Sequence, residues 1–133
     1  MFGKREDNRR QGKIDSLVGS GTVIEGNIHF TGGLRIDGEV KGDVTSASGA
    51  SSSVLVLSEK ARVEGAVNVA HLILNGSIIG QVSVAELIEM QSKAKIVGDV
   101  EYGVIEMHQG AVIEGRLQLI KDKTVELKLA ASN

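Results

Sequence analysis

The chain of 133 residues contains neither cysteine nor proline. Without cysteine, disulfides and thiolate metal sites are excluded, and a reducing compartment is the simpler expectation. Without proline, no residue is barred from donating its backbone N–H to a sheet ladder. Only three aromatic residues occur, Phe2, Phe30 and Tyr102, so any core must be built from Val, Ile, Leu, Ala and Met.

The chain also lacks strong charge of one sign and long apolar runs. The formal net charge is −2, which provides no positive field for nucleic acid, so we expect no nucleic-acid partner. No apolar run approaches the roughly 18 residues of a membrane-spanning helix, and no signal-peptide pattern is present.

What the sequence does contain is an internal repeat. A glycine followed two residues later by an apolar residue recurs at intervals of 16, 23, 15, 18 and 17 residues, at Gly26, Gly42, Gly65, Gly80, Gly98 and Gly115. The longest interval includes the low-complexity segment 45–53, TSASGASSS, which we predict to be a flexible surface insertion. The remaining repeats have a period of about 17 residues, which is typical of a solenoid.

Apolar residues occupy the same positions in each repeat. β-Branched residues stand two positions before every motif glycine, and small residues stand four positions before it. Eight positions before it are Val18, Leu34, Leu57, Leu72, Met90 and Met107. Two-residue alternation predicts strands. Its repetition in six copies predicts that residues of the same kind stack on one another in successive repeats. We therefore predict an all-β protein: a single-stranded parallel β-helix of about six rungs over residues 14–129, with a flexible tail at 1–13 and a short tail at 130–133.

The residues that carry chemistry do not form a site. Counted from the motif glycines, His29, His71 and His108 fall in three different outward positions, whereas a metal or acid–base site needs convergent side chains. The segment beginning at Gly19 lacks the Lys-Ser/Thr of a phosphate loop. We predict no catalytic, cofactor-binding or metal-binding residues, no nucleotide, and no enzyme activity.

The ends of a β-helix expose unpaired backbone groups that template association unless they are covered. No amphipathic capping helix is recognisable at either end of the repeats, so we predict end-to-end stacking into a filament. The competing interpretation is that residues 119–129 fold over the last rung as a cap.

The N-terminal tail combines apolar and basic residues. Residues 1–13 carry five basic and two acidic residues, a net charge of +3, behind Met1 and Phe2. This composition suits an anionic membrane surface, where one anchor binds weakly and a filament of many anchors binds well. The alternative is a leader that has no role in binding.

The segment FTGGLRIDGEVKG at 30–42, within the repeats from Ile14 to about Leu119, resembles the bactofilins, a family of bacterial polymer-forming cytoskeletal proteins. The opening Met1, Phe2, Lys4 and Arg5 resembles the membrane-targeting leader of some members. The resemblance implies a right-handed β-helix that polymerises without nucleotide under the cytoplasmic membrane. It also implies partners among cell-wall enzymes or other morphogenetic proteins, with a role in cell shape.

In the family, apolar residues of the terminal rungs make the polymer contacts. The resemblance assigns this role to six residues, which are Ile14, Leu17, Val18, Val125, Leu127 and Leu129. Two other functions stay open: a trimeric hexapeptide-repeat acyltransferase with an active His between subunits, and a monomeric adaptor with capped ends. Strict six-residue steps would favour the acyltransferase, whereas this chain alternates by two with rungs of unequal length.

Overall fold

The computed structural model describes residues 14–47 and 52–120, in which every regular element is a β-strand. The strands are short because the apolar alternation is interrupted every few residues by glycine or by polar residues that form corners. Their bounds are β1 Ser16–Val18, β2 Val23–Glu25, β3 Ile28–Phe30, β4 Gly33–Ile36, β5 Glu39–Lys41, β6 Val44–Ser46, β7 Val54–Leu57, β8 Arg62–Glu64, β9 Val67–Leu74, β10 Ser77–Ile79, β11 Val82–Met90, β12 Lys95–Val97, β13 Val100–Met107, β14 Val112–Glu114 and β15 Leu117–Leu119.

The strands form the three faces of a solenoid, and every pairing is parallel. The first face contains β1, β4, β7 and the C-terminal halves of β9, β11 and β13. The second face is a six-stranded sheet in the order β14, β12, β10, β8, β5, β2. The third face contains β3, β6, the N-terminal halves of β9, β11 and β13, and β15.

Each passage over the three faces is one rung, and the described residues make six rungs. These are residues 16–30, 33–46, 54–69, 71–84, 87–102 and 104–119. In each rung the side chains that alternate inward lie over those of the next rung, as in the series Val63, Ile78 and Ile96, all fully buried. The structure therefore confirms the predicted all-β parallel β-helix of about six rungs.

The motif glycines form a column at the corner between the second and third faces. Gly98 has φ +146°, a backbone conformation that favours glycine, and a Cβ there would collide with the carbonyl oxygen of Gly80 in the rung before. The same close approach recurs at the other motif glycines except Gly26, which lies in the first rung and has nothing within 4 Å of a Cβ. The repeating glycine is thus required by the spacing of the rungs.

The predicted column eight residues before the motif glycine is wrong in two rungs. Ile36 and Leu74, rather than Leu34 and Leu72, lie in register with Leu57. In the second and fourth rungs the corner after the first face is two residues shorter than in the other rungs. This short corner lies close to the longer corner of the preceding rung. At the short corner of the fourth rung, a Cβ on Gly76 would lie only 2.5 Å from the Ala61 carbonyl oxygen.

The serine-rich insertion is shorter than the predicted 45–53. Thr45 and Ser46 belong to β6, and Ser53 is fully buried next to β7. Residues 48–51 lie outside the described residues.

Candidate polymerisation surfaces at the two ends of the solenoid

The sixth rung presents inward-column side chains that no further described rung covers. Met107, Leu117 and Leu119 are 45%, 49% and 55% exposed. Their counterparts in the fifth rung include Met90 and Val100, which are fully buried in the same columns. The difference between Met90 and Met107 is caused by position, because the residue type and the backbone register are the same. This end of the described solenoid is therefore an apolar surface.

The first rung presents a second apolar surface. Val18, Ile24 and Ile28 occupy the inward columns of the three faces, directly next to the second rung. Ile24 and Ile28 are partly buried, whereas Val40 and Val44 above them are fully buried. The first rung is thus less completely covered than the interior rungs, as at the other end.

The sheet edges coincide with these two apolar surfaces. Among the described residues, the three first-rung strands β1, β2 and β3 each pair on one side only, and so do β14 and β15 at the opposite end. A parallel strand with one free side offers N–H and C=O groups to a further strand. Each end therefore combines an unpaired backbone edge with an apolar column, which is the surface that an interior rung presents to its neighbour.

The predicted polymerisation residues divide into those that the structure places and those that it does not describe. Val18 belongs to an inward column and is 8% exposed. Leu17 is 60% exposed and shares its outward column with Arg35, so it borders the end surface. Ile14 precedes β1 and is 40% exposed. The predicted residues Val125, Leu127 and Leu129 lie outside the described residues.

Met1, Phe2, Lys4 and Arg5, predicted to contact a membrane, also lie outside the described residues. Sequence reasoning did not assign the half-exposed side chains of the sixth rung to the end contact. The signal was present, because Met107 and Leu117 stand in the repeat columns of the last copy. Counting the copies would have identified them as the residues that lack a covering rung.

The structure keeps the three histidines on separate parts of the surface. His29 lies on the third face and His71 on the first, where its Nδ1 is 3.2 Å from the Ser53 carbonyl oxygen. The Nε2 atom of His108, directly after β13, is 3.5 Å from the Glu89 carboxylate. In residues 14–47 and 52–120, no group of three or more His, Cys, Asp or Glu side chains is placed to hold a metal ion.

Local polar contacts connect the corners of neighbouring rungs. Arg35 Nε donates a hydrogen bond of 2.9 Å to Asp37 Oδ1. The pKa of the Asp37 carboxyl lies below its usual value, mainly because of a hydrogen bond with the Ser58 side chain, with a further contribution from Arg35 that opposes the effect of burial. Both contacts connect or border the corners of neighbouring rungs. Within the part of the chain that the structure describes, no helix is long and apolar enough to cross a membrane.

The fold and its ends define a β-solenoid with two surfaces suited to stacking. The family model described as "Bactofilin: Polymer-forming cytoskeletal" matches residues 16–118, which is most of the chain. The chain therefore belongs to the bactofilin family of polymer-forming cytoskeletal proteins, as its resemblance at 30–42 predicted.

Two curated relatives come from Myxococcus xanthus (strain DK1622). Bactofilin BacP is 25% identical over 105 residues, which cover 79% of this chain and 42% of BacP. Bactofilin BacO is 24% identical over 105 residues, which cover 79% of each chain. The similarity to BacP thus spans less than half of that protein. No solved structure matches this chain.

Proposed function

We propose that this protein is a nucleotide-independent scaffold that polymerises end to end at the inner face of the cytoplasmic membrane, where it supports cell shape or positions cell-wall enzymes. The observation that carries the end-to-end contact is the exposure of Met107 and Leu117 in columns that are fully buried one rung earlier. Membership of a polymer-forming family supports self-association.

The magnitude of apolar burial indicates how large the contact must be. Complete burial of a large aliphatic side chain contributes about 1.5–3 kcal/mol. Because Met107, Leu117 and Leu119 are each about half exposed, covering them contributes roughly 2–4.5 kcal/mol in total. A micromolar contact requires about 8 kcal/mol. The rest must come from the opposing subunit, from backbone pairing and from residues beyond 120, which include Val125, Leu127 and Leu129.

The membrane part of the proposal depends on the N-terminal residues. Phe2 supplies one apolar anchor, and Lys4 and Arg5 supply charge that anionic lipid attracts. A single tail of this kind binds weakly, so the proposal requires the polymer, which presents many tails to one surface.

The test of end stacking is electron microscopy of nucleotide-free protein with a matched pair of variants. Leu119→Arg places a charge in the apolar end surface, and we expect short soluble species because a buried unpaired charge is costly. Val97→Arg places the same charge on the outward side of the second face, at a residue that is 38% exposed, and should leave filaments intact. Monodisperse wild-type protein, or filaments of normal length from Leu119→Arg, would contradict the proposed contact.

A further inference from the structure

The outer surface of the first face carries an apolar patch in its middle rungs, between Arg35 and Glu89 of the same outward column, whereas the third face is polar there. The outward residues of the third face include His29, Thr45 and Asn68. At equivalent outward positions the first face carries Val56 and Ile73 in one column, and these side chains are only half-buried. Leu87 stands in the adjacent outward column of the fifth rung and is also half-buried. None of these three residues contributes to the solenoid core.

These residues form the floor of a groove with a volume of about 670 Å³. Its rim contains Arg35, Glu59 and Glu89. Arg35 is already paired with Asp37 at 2.9 Å, and Glu89 lies 3.5 Å from the Nε2 atom of His108. With two carboxylates against one paired guanidinium, the rim has an excess of negative charge. A groove with an apolar floor and an acidic rim favours an extended segment that combines an apolar anchor with basic residues.

The chain itself contains such a segment, in residues 1–13. It carries Phe2 and a net charge of +3, and it connects through residue 14 to β1, the first-rung strand of the same face. The floor at Ile73 lies three rungs away, which is about 14 Å at the usual strand spacing. Thirteen residues span up to roughly 43 Å when extended. The segment therefore reaches the groove, and its covalent attachment gives it a high effective concentration there.

We propose that residues 1–13 bind in the groove of their own subunit, with Phe2 against Val56 and Ile73. The same Phe2 and basic side chains cannot occupy the groove and a membrane at once, so anionic lipid competes with the groove for the tail. This competition rests on the membrane association proposed above, whereas occupation of the groove does not. A subunit away from the membrane keeps its anchor covered, and a polymer on the membrane releases it.

The test uses the full chain, whose lack of native cysteine makes introduced pairs unambiguous. In the double variant Gly3→Cys with Gln91→Cys, the second cysteine lies in the groove lining. The control is Gly3→Cys with Ser83→Cys, on the third face. We expect a disulfide to form at least tenfold faster in the first pair. Adding Ile73→Glu should lower that rate roughly tenfold, equivalent to about 1.4 kcal/mol. The control changes Ile73→Leu and Val97→Glu should leave the rate unchanged.

Equal rates for the two cysteine pairs, or a rate insensitive to Ile73→Glu, would overturn binding in the groove. A mixture of Gly3→Cys and Gln91→Cys single variants that cross-links as fast as the double variant would assign the groove to the tail of a second copy and overturn the intramolecular form. Vesicles containing phosphatidylglycerol should lower the rate of the groove pair. A rate unchanged by vesicles that do bind the protein would overturn the competition and leave groove binding standing. Vesicles that do not bind the protein would overturn the membrane anchor instead.

Discussion

The glycine column predicts a difference between two chemically identical substitutions. Gly98→Ala introduces a Cβ at φ +146° that collides with the Gly80 carbonyl oxygen, and Gly26→Ala introduces one at φ +135° with nothing within 4 Å. Backbone strain of this kind costs about 1–3 kcal/mol in each variant. The collision adds about 1–3 kcal/mol in Gly98→Ala alone, because two rungs must separate locally.

The free energy of unfolding should be measured by denaturant titration in a background that does not polymerise, such as Leu119→Arg, so that assembly does not stabilise the fold. We expect Gly98→Ala to lose about 2–6 kcal/mol and Gly26→Ala about 1–3 kcal/mol. In the polymerising background, Gly26→Ala should also impair assembly, because its Cβ points into the space that a neighbouring rung occupies elsewhere in the column. Equal destabilisation by the two variants would refute the argument that rung spacing, rather than φ alone, requires the glycine.

Three further predictions concern the ends, the tail and a corner. Leu127→Arg or Val125→Arg should yield short soluble species by sedimentation if these residues join the end contact, and unchanged filaments would move the contact elsewhere. Deleting residues 1–8 should abolish pelleting with anionic vesicles while filaments persist in micrographs, and equal pelleting would exclude the tail as anchor. Because the pKa of Asp37 is lowered from 3.8 by folding, its stabilising contribution is present above that pH and is lost as pH falls through the folded pKa. Asp37→Asn should therefore cause a small loss of stability at neutral pH and a weaker acid dependence, and an unchanged acid profile would contradict this role.

The sequence was sufficient to predict the solenoid because its signal is repeated in every rung. Ile78 and Ile96 stand at the same distance from their glycines and lie in register in the sheet. The error at Leu34 and Leu72 has a physical cause. Corner length varies by two residues, a step that keeps the inward alternation and therefore leaves no trace in the apolar pattern.

The ends and the groove were harder to predict from the sequence. Leu17 looks like a core residue by type, but its register with Arg35 places it on the outer surface. Met90 is covered by a further rung and Met107 is not, and whether a further rung follows is not encoded in the composition. The half-buried Val56 and Ile73 also alternate with core residues, so their shared groove emerges only when the rungs are stacked.

The connection between β6 and β7 is longer than the repeat predicts, but the strands on both sides of it keep their regular pairing. Gly33 pairs with Val54, and Val44 pairs with Val67, although the second and third motif glycines are 23 residues apart instead of about 17. The additional residues enter between two strands whose pairings are already specified by their neighbours. A reporter peptide inserted between residues 47 and 52 should therefore be accommodated as a side branch, giving a tagging site between the second and third rungs rather than at either stacking end.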